Sequence, residues 1–182
     1  ISAVDHGIAV DTSMGFTPLD GLMMGTRCGS IDPAIIPFLI ENENLSAAEV
    51  NDIMNHGITG WKYFSNPRIF EGYGMSGNER AVLAYDMYAH SIRKYLGQYI
   101  VEMAGVDAIV LTAGVGENAE RIRRLIFAGL QPLGIVLDQE KNRLRHNGKE
   151  RFISRDESPV KIIVILTNEE FMIAQDTYDI VS

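Results

Sequence analysis

Cys28 is the only cysteine in this chain of 182 residues. Its isolation excludes a disulfide framework and a multi-cysteine metal site, and a reducing compartment such as the cytoplasm is the setting that fits. No Lys/Arg cluster interrupts a net charge of −8, which argues against nucleic acid and anionic membrane surfaces as partners. One arginine and a few backbone amides can still hold an anion in an acidic protein, so phosphate ligands stay open. No apolar run approaches the roughly 18 residues that a bilayer span requires, and no membrane partner is expected. None of the four histidines pairs with another at metal-ligand spacing alongside a third ligand. A signal-peptide pattern is missing too. The chain opens on Ile1, which reads as the interior of a longer protein. Internal repeats and low-complexity tracts are absent.

What is present is ordinary for a globular chain: 46% hydrophobic and 22% charged residues, with enough length for one domain, or one domain and an appendage. Residues 1–10 read as two short strands around the turn Asp5-His6-Gly7. The stretch Val10 to Pro33 (VDTSMGFTPLDGLMMGTRCGSIDP) follows. It has neither strict alternation nor a helical stripe, yet it is too apolar for a linker, and long irregular stretches in compact domains are usually functional. Asp32 and Pro33 suit the start of a helix through Ile40, short or kinked because of Pro37. Ser46-Ala-Ala-Glu49 is a capping box for a helix to about His56. Residues 57–75 lack a clear period and read as a surface loop holding Trp61. A second capping box, Ser76 to Glu79, starts the longest helix, to about Met103, with Val82, Ala89, Ile92, Leu96, Tyr99 and Met103 on its buried face.

Beyond that helix, strands and helices alternate. Asp107 to Thr112 reads as a central parallel strand, Ala119 to Leu130 as a helix with Arg121, Arg123 and Arg124 outward, and Gly134 to Leu137 as a short strand. Residues 138–151 read as a turn region, Val160 to Thr167 as a second apolar strand, and Asn168 to Ile180 as a closing helix. This order argues for an α/β layered fold.

Three segments carry candidate chemistry. TAGVGEN (Thr112 to Asn118) lies between a strand and a helix, where backbone N–H groups converge; Gly114 and Gly116 would let a phosphate or ribose approach without a Cβ in the way. Nucleotide contact and a plain tight turn are both open on this chemistry alone. TNEE (Thr167 to Glu170) sits at another strand-to-helix junction. It either caps the helix, or turns one carboxylate toward the strand end to hold Mg²⁺. Arg27, between Gly25 and Gly29, either stabilises a transferring phosphoryl group or makes a structural salt bridge to Asp20 or Asp32. Asp11 can cap a local turn through Thr12 or Ser13. Nothing beside Cys28 suggests a thiolate nucleophile.

In this order and spacing, the three segments resemble the acetate kinase family of acetate and propionate kinases, within the acetokinase, sugar kinase, Hsp70 and actin superfamily. VDTSMGFTPLDGLMMGTRCGSIDP is similar to the family's second signature nearly end to end. LTAGVGEN is similar to its FTAGIGEN segment, and TNEEFMIAQD to its TNEELMIA segment. The resemblance runs over essentially all of residues 1–182 but spans only the C-terminal half of a typical member, so it implies an absent N-terminal domain. It implies a ribonuclease-H-like α/β domain with a central mixed sheet flanked by helices. It also implies ATP-dependent phosphorylation of a short-chain carboxylate, reversibly giving an acyl phosphate and ADP, with Mg²⁺. Carried over by position, Arg27 would stabilise the transferring phosphoryl group and Pro18 would line the pocket for the acyl methyl. Gly114, Val115, Gly116, Glu117 and Asn118 would hold the adenosine and α-phosphate, and Glu169 would bind Mg²⁺. Arg68 would match the adenine-side arginine, in a 57–75 loop that departs from the family pattern. The resemblance further implies a homodimer, for which the long helix is the candidate surface. A non-catalytic nucleotide-binding or dimerisation module is the alternative.

Overall fold

His6 and Gly7 both take positive φ, 49° and 82°, the backbone of a tight two-residue hairpin turn. They fold the start of the chain into an antiparallel ribbon of β1 (Ser2–Asp5) and β2 (Ile8–Thr12). The structure is a computed structural model that describes residues 1–57, 79–144 and 148–181, with the side chains of 79–81 and 169 outside that description. The expected loop at 57–75, with Trp61, and the cap at Ser76 therefore lie outside the described residues, Gly57 apart. The chain divides into two compact units, Ile1–Gly105 and Val106–Ser182.

In the first unit, residues 13–34 form an ordered loop without regular structure. Gly21 and Gly29 turn it at positive φ, and a Cβ on Gly21 would meet the Ser13 carbonyl oxygen at 2.2 Å. Its backbone is pinned by Ser30 N–H donating to Gly21 O and Cys28 N–H donating to Met54 O, each at 3.0 Å. Helix α1 (Ile35–Asn42) begins later than expected, with Ala34 as its cap. Asp32 still accepts the Ala34 N–H at 2.9 Å. The later start places Pro37 in the first turn, where its missing N–H removes no helical bond. Helix α2 (Ala47–Asp52) runs on as a π-helical turn, Ile53–Gly57, so the expected extent to His56 holds with a change of pitch. Its capping box forms in full: Ser46 Oγ accepts the Glu49 N–H at 3.3 Å, and Glu49 Oε2 accepts the Ser46 N–H at 2.8 Å. Helix α3 (Glu79–Glu102) buries Tyr85, Ala89, Leu96 and Tyr99, while Val82, Ile92 and Met103 are half-buried.

In the second unit, β3 (Ala108–Leu111) pairs in parallel with β5 (Lys161–Val164), and β4 (Arg151–Phe152) pairs with β5 antiparallel. The order is β3-β5-β4. Among the described residues β5 is thus the central strand and β3 lies at the edge, with Val110 exposed, so the central placement expected of 107–112 is corrected. Residues 134–137 join the sheet only through isolated bridges, Ile135 to Val160 and Leu137 to Ser154. Between the parallel strands run α4 (Ala113–Asn118), α5 (Glu120–Phe127) and α6 (Gln139–Arg143), and α7 (Glu169–Val181) follows β5. The core joins Ile122, Ile126 and Phe127 of α5 with Ile109, Ile162 and Val164 of the strands.

Two further sequence-based expectations fail here. Residues 138–151 hold a helix, which Asp138 caps by accepting the N–H groups of Glu140 and Lys141 at 2.9 and 3.0 Å. Arg123 does not point outward; it is 2% exposed.

Removing the capping hydroxyl by Ser46→Ala is expected to lower stability by about 1 kcal/mol, read from denaturant unfolding. The Ser46 N–H and hydroxyl hold the Glu49 carboxyl below its ordinary value. The Glu49 contribution is therefore full above the ordinary carboxylate range and fades as pH falls through the lowered value.

Candidate functional site

The parallel pairing sets Leu111 opposite Val164, so both strands release the chain at the same sheet edge. Ligands of open α/β sheets bind at this carboxyl end. The two segments singled out by sequence meet here. Thr112 Oγ1 and Thr167 Oγ1 are 2.5 Å apart, and Thr167 Oγ1 accepts the Ala113 N–H at 3.0 Å. In the other direction, Glu117 Oε1 accepts the Thr167 N–H at 2.9 Å. Each segment thus caps a backbone donor of the other.

TAGVGEN is a short helix, with Thr112 extended and Ala113 at φ 59° before it winds up. The left-handed conformation costs an alanine about 1–2 kcal/mol, and the Ala113 N–H bond to Thr167 helps hold it. The two glycines differ in role. A Cβ on Gly114 would meet open space, so this residue leaves the backbone approachable. A Cβ on Gly116 would lie 3.1 Å from the Leu111 carbonyl carbon. Gly116 therefore serves close helix–strand packing, which corrects the reading of it as an open approach. Asn118 Nδ2 donates to Gly114 O at 3.0 Å and bridges one turn of α4.

Sequence reasoning missed the support beneath this segment. Arg123 Nη1 donates to the carbonyls of Gly116 and Glu117, each at 2.9 Å. Its Nε donates to Asn142 Oδ1 at 2.7 Å and its Nη2 to Asn142 O at 2.9 Å. Burial first, and the charge of Arg151 second, push the guanidinium down to about 10, so it stays charged at neutral pH. The available signal was at 138–143, where Asp precedes a run of good helix formers and marks an N-cap. That helix carries Asn142.

In TNEE, Asn168 Oδ1 accepts the Phe171 N–H at 3.3 Å and caps α7, as the capping reading expects. Glu169 begins α7, and its side chain lies outside the described residues. Among those described, no three His, Cys, Asp or Glu side chains gather as a metal site. A Mg²⁺ held by one or two carboxylates, water and nucleotide phosphates requires no such group.

In the first unit, Arg27 is half-buried and makes no ion pair among the described residues; its guanidinium lies against the Met24 thioether, 3.7 Å from Nη1, and its carbonyl accepts the Met24 N–H at 3.0 Å. The alternative of a bridge to Asp20 or Asp32 is not realised. Asp20 instead accepts the Gly21 N–H and the Ser30 hydroxyl, and Asp32 caps toward α1. Pro18 is exposed, as is Phe16 two residues before it. Asp11 accepts the Thr12 N–H at 2.6 Å, the local turn expected of it. Burial raises the Cys28 thiol, which donates to Gly29 O at 3.1 Å, so no thiolate forms at neutral pH. Arg68 lies outside the described residues.

A family model described as the acetokinase family matches residues 1–175. The acetate kinase of Carboxydothermus hydrogenoformans is 51% identical over 183 residues, covering 100% of this chain and 46% of that relative. The crystal structure of Porphyromonas gingivalis acetate kinase superposes with a TM-score of 0.90 at 43% identity, over 100% of this chain and 46% of that one. A propionate kinase from Francisella tularensis gives a TM-score of 0.83 at 40% identity, over 96% and 44%. The α/β fold, a mixed sheet flanked by helices, is therefore that of the solved acetate kinases, of the actin, Hsp70 and sugar-kinase type. The chain spans slightly under half the length of the curated relatives it matches. Among the described residues no helix is long and apolar enough to cross a membrane.

Ala113→Gly is expected to relieve the left-handed strain and raise stability by up to about 1 kcal/mol, seen as a higher denaturation midpoint. A lower midpoint would contradict the strained conformation at the head of α4.

Proposed function

Because the chain belongs to the acetokinase family, we propose that it supplies the nucleotide and Mg²⁺ half of a kinase site. The reaction is reversible phosphoryl transfer from ATP to a short-chain carboxylate, giving an acyl phosphate and ADP. The observation that carries this reading is the meeting of TAGVGEN and TNEE at the carboxyl ends of two parallel strands, each satisfying a backbone donor of the other.

In this reading Gly114, Val115, Gly116, Glu117 and Asn118 hold the adenosine and α-phosphate, with the open face of Gly114 as the closest approach. Arg68 serves as the family's adenine-side arginine, and Pro18 serves the pocket for the acyl methyl. Arg27 stabilises the transferring group; among the described residues its guanidinium has no carboxylate partner, and such a charge suits the equatorial oxygens of the transition state. Glu169, the first residue of a helix at the same sheet edge, is the carboxylate for Mg²⁺, and a hard cation suits an oxygen donor. Bound there, Mg²⁺ supplies charge neutralisation on the nucleotide phosphates. In-line transfer asks little else of a protein than such positioning.

The remaining carboxylate-binding and catalytic groups come from an N-terminal domain, with this chain as the C-terminal half. Exposed apolar faces support a missing neighbour: Val4, Ile8 and Val10 on the ribbon, and Phe171, Ile173 and Ile180 on α7. We place the protein in the cytoplasm, as a homodimer through α3, where Leu83 and Met87 are exposed one turn apart. The other reading, a nucleotide-binding or dimerisation module without catalysis, is separated from this one by assaying turnover with the N-terminal half restored.

Calorimetric titration of the 182-residue chain with Mg-ATP is expected to show binding that an Asn118→Ala, Glu169→Ala double variant abolishes. A folded chain that binds nothing, or a variant that binds as well, would sink the assignment. Light scattering is expected to give twice the chain mass; a monomer would remove α3 as the dimer surface.

A further inference from the structure

We propose that Arg123 is a positioning residue for nucleotide binding: its buried guanidinium, braced by Asn142, fixes the conformation in which residues 113–118 meet the ligand. The inference rests on the nucleotide reading given above. Three observations converge on it.

First, the cation is 2% exposed and, among the described residues, forms no ion pair with a carboxylate. All four of its recorded hydrogen bonds go to neutral oxygens. Burying a charge is costly unless its donors are matched, so a position that served packing alone would favour an apolar side chain. Here the matched groups are carbonyls at the end of α4, which a short helix leaves without intrahelical partners and which carry the negative end of its dipole.

Second, the brace is itself buried. Asn142 is 0% exposed, offers Arg123 both its side-chain and main-chain oxygens, and donates from Nδ2 to Glu120 O at 3.1 Å. The chain of contacts runs from α6 through Asn142 and Arg123 to the final turn of α4, and through Glu120 to the first residue of α5. The junction between those two helices is Ala119, whose φ and ψ of −96° and 78° break the helix. The Arg123 guanidinium thus holds the Gly116 and Glu117 carbonyls at that break.

Third, one of the two clamped residues also binds the neighbouring segment. Glu117 gives its carbonyl to Arg123 and its carboxylate to the Thr167 N–H. A shift of the Glu117 backbone therefore disturbs TAGVGEN and TNEE together.

The fork is what the site uses. Lysine keeps the charge but cannot reach four oxygens in one plane. With Arg123→Lys, the Kd for Mg-ATP is expected to rise about tenfold or more, while hydrogen exchange of the 113–118 amides accelerates relative to β5. A general loss of packing would instead speed exchange in both. Asn142→Ala is expected to move both readouts the same way by less, and it carries the test if Arg123→Lys does not fold. Unchanged ATP affinity in a folded variant would overturn the proposal and leave the nucleotide reading intact. If the wild-type chain binds no ATP, the nucleotide reading falls. The exchange arm then decides the clamp alone: selective acceleration at 113–118 supports it, and uniform or absent acceleration overturns it.

Discussion

The parallel pairing of β3 with β5 is the constraint on which the second unit depends. Parallel neighbours cannot be joined by a tight turn, so the chain between them must cross over through helices. Helices α4, α5 and α6 belong to that crossover, and they carry Arg123 and Asn142, which support the candidate site. The register, with Leu111 opposite Val164, brings Thr112 and Thr167 into contact. A slip of one residue would turn every side chain of β5 to the opposite face. It would remove Ile162 and Val164 from the core and separate the two segments.

Two arginines illustrate how differently a cation can be used in one chain. Arg27 lies half-buried in a glycine-bearing loop, its guanidinium set against the Met24 thioether. Arg123 is sealed in, its charge spent on backbone carbonyls. Among the described residues neither forms an ion pair with a carboxylate. In the role proposed for it the first would meet a changing charge during transfer, whereas the second meets a fixed dipole that is always present.

The sequence made the ribbon, the Ser46 capping box, the long helix and both apolar strands legible, because each depends on local signals: a turn pair, a reciprocal cap, a period. It also placed TAGVGEN and TNEE at strand-to-helix junctions. Three features stayed hidden, and each depends on tertiary contact. The edge position of β3 follows from its partners, and an apolar run cannot reveal how many strands flank it. The burial of Arg123 runs against the general exposure of arginine; it is matched by the Gly116 and Glu117 carbonyls and by Asn142, 19 residues away. The separate roles of Gly114 and Gly116 follow from which side of a six-residue helix faces Leu111. Arg68 and Glu169 were read from the family pattern, and their side chains lie outside the described residues.

The central claim is that the two strand ends form one nucleotide site, and amide chemical-shift mapping during a Mg-ATP titration tests it most directly. The account predicts that the amides of Gly114 to Asn118 and of Thr167 to Glu170 shift together along a single saturation curve. Shifts confined to one segment, or scattered away from the carboxyl ends of β3 and β5, would contradict it.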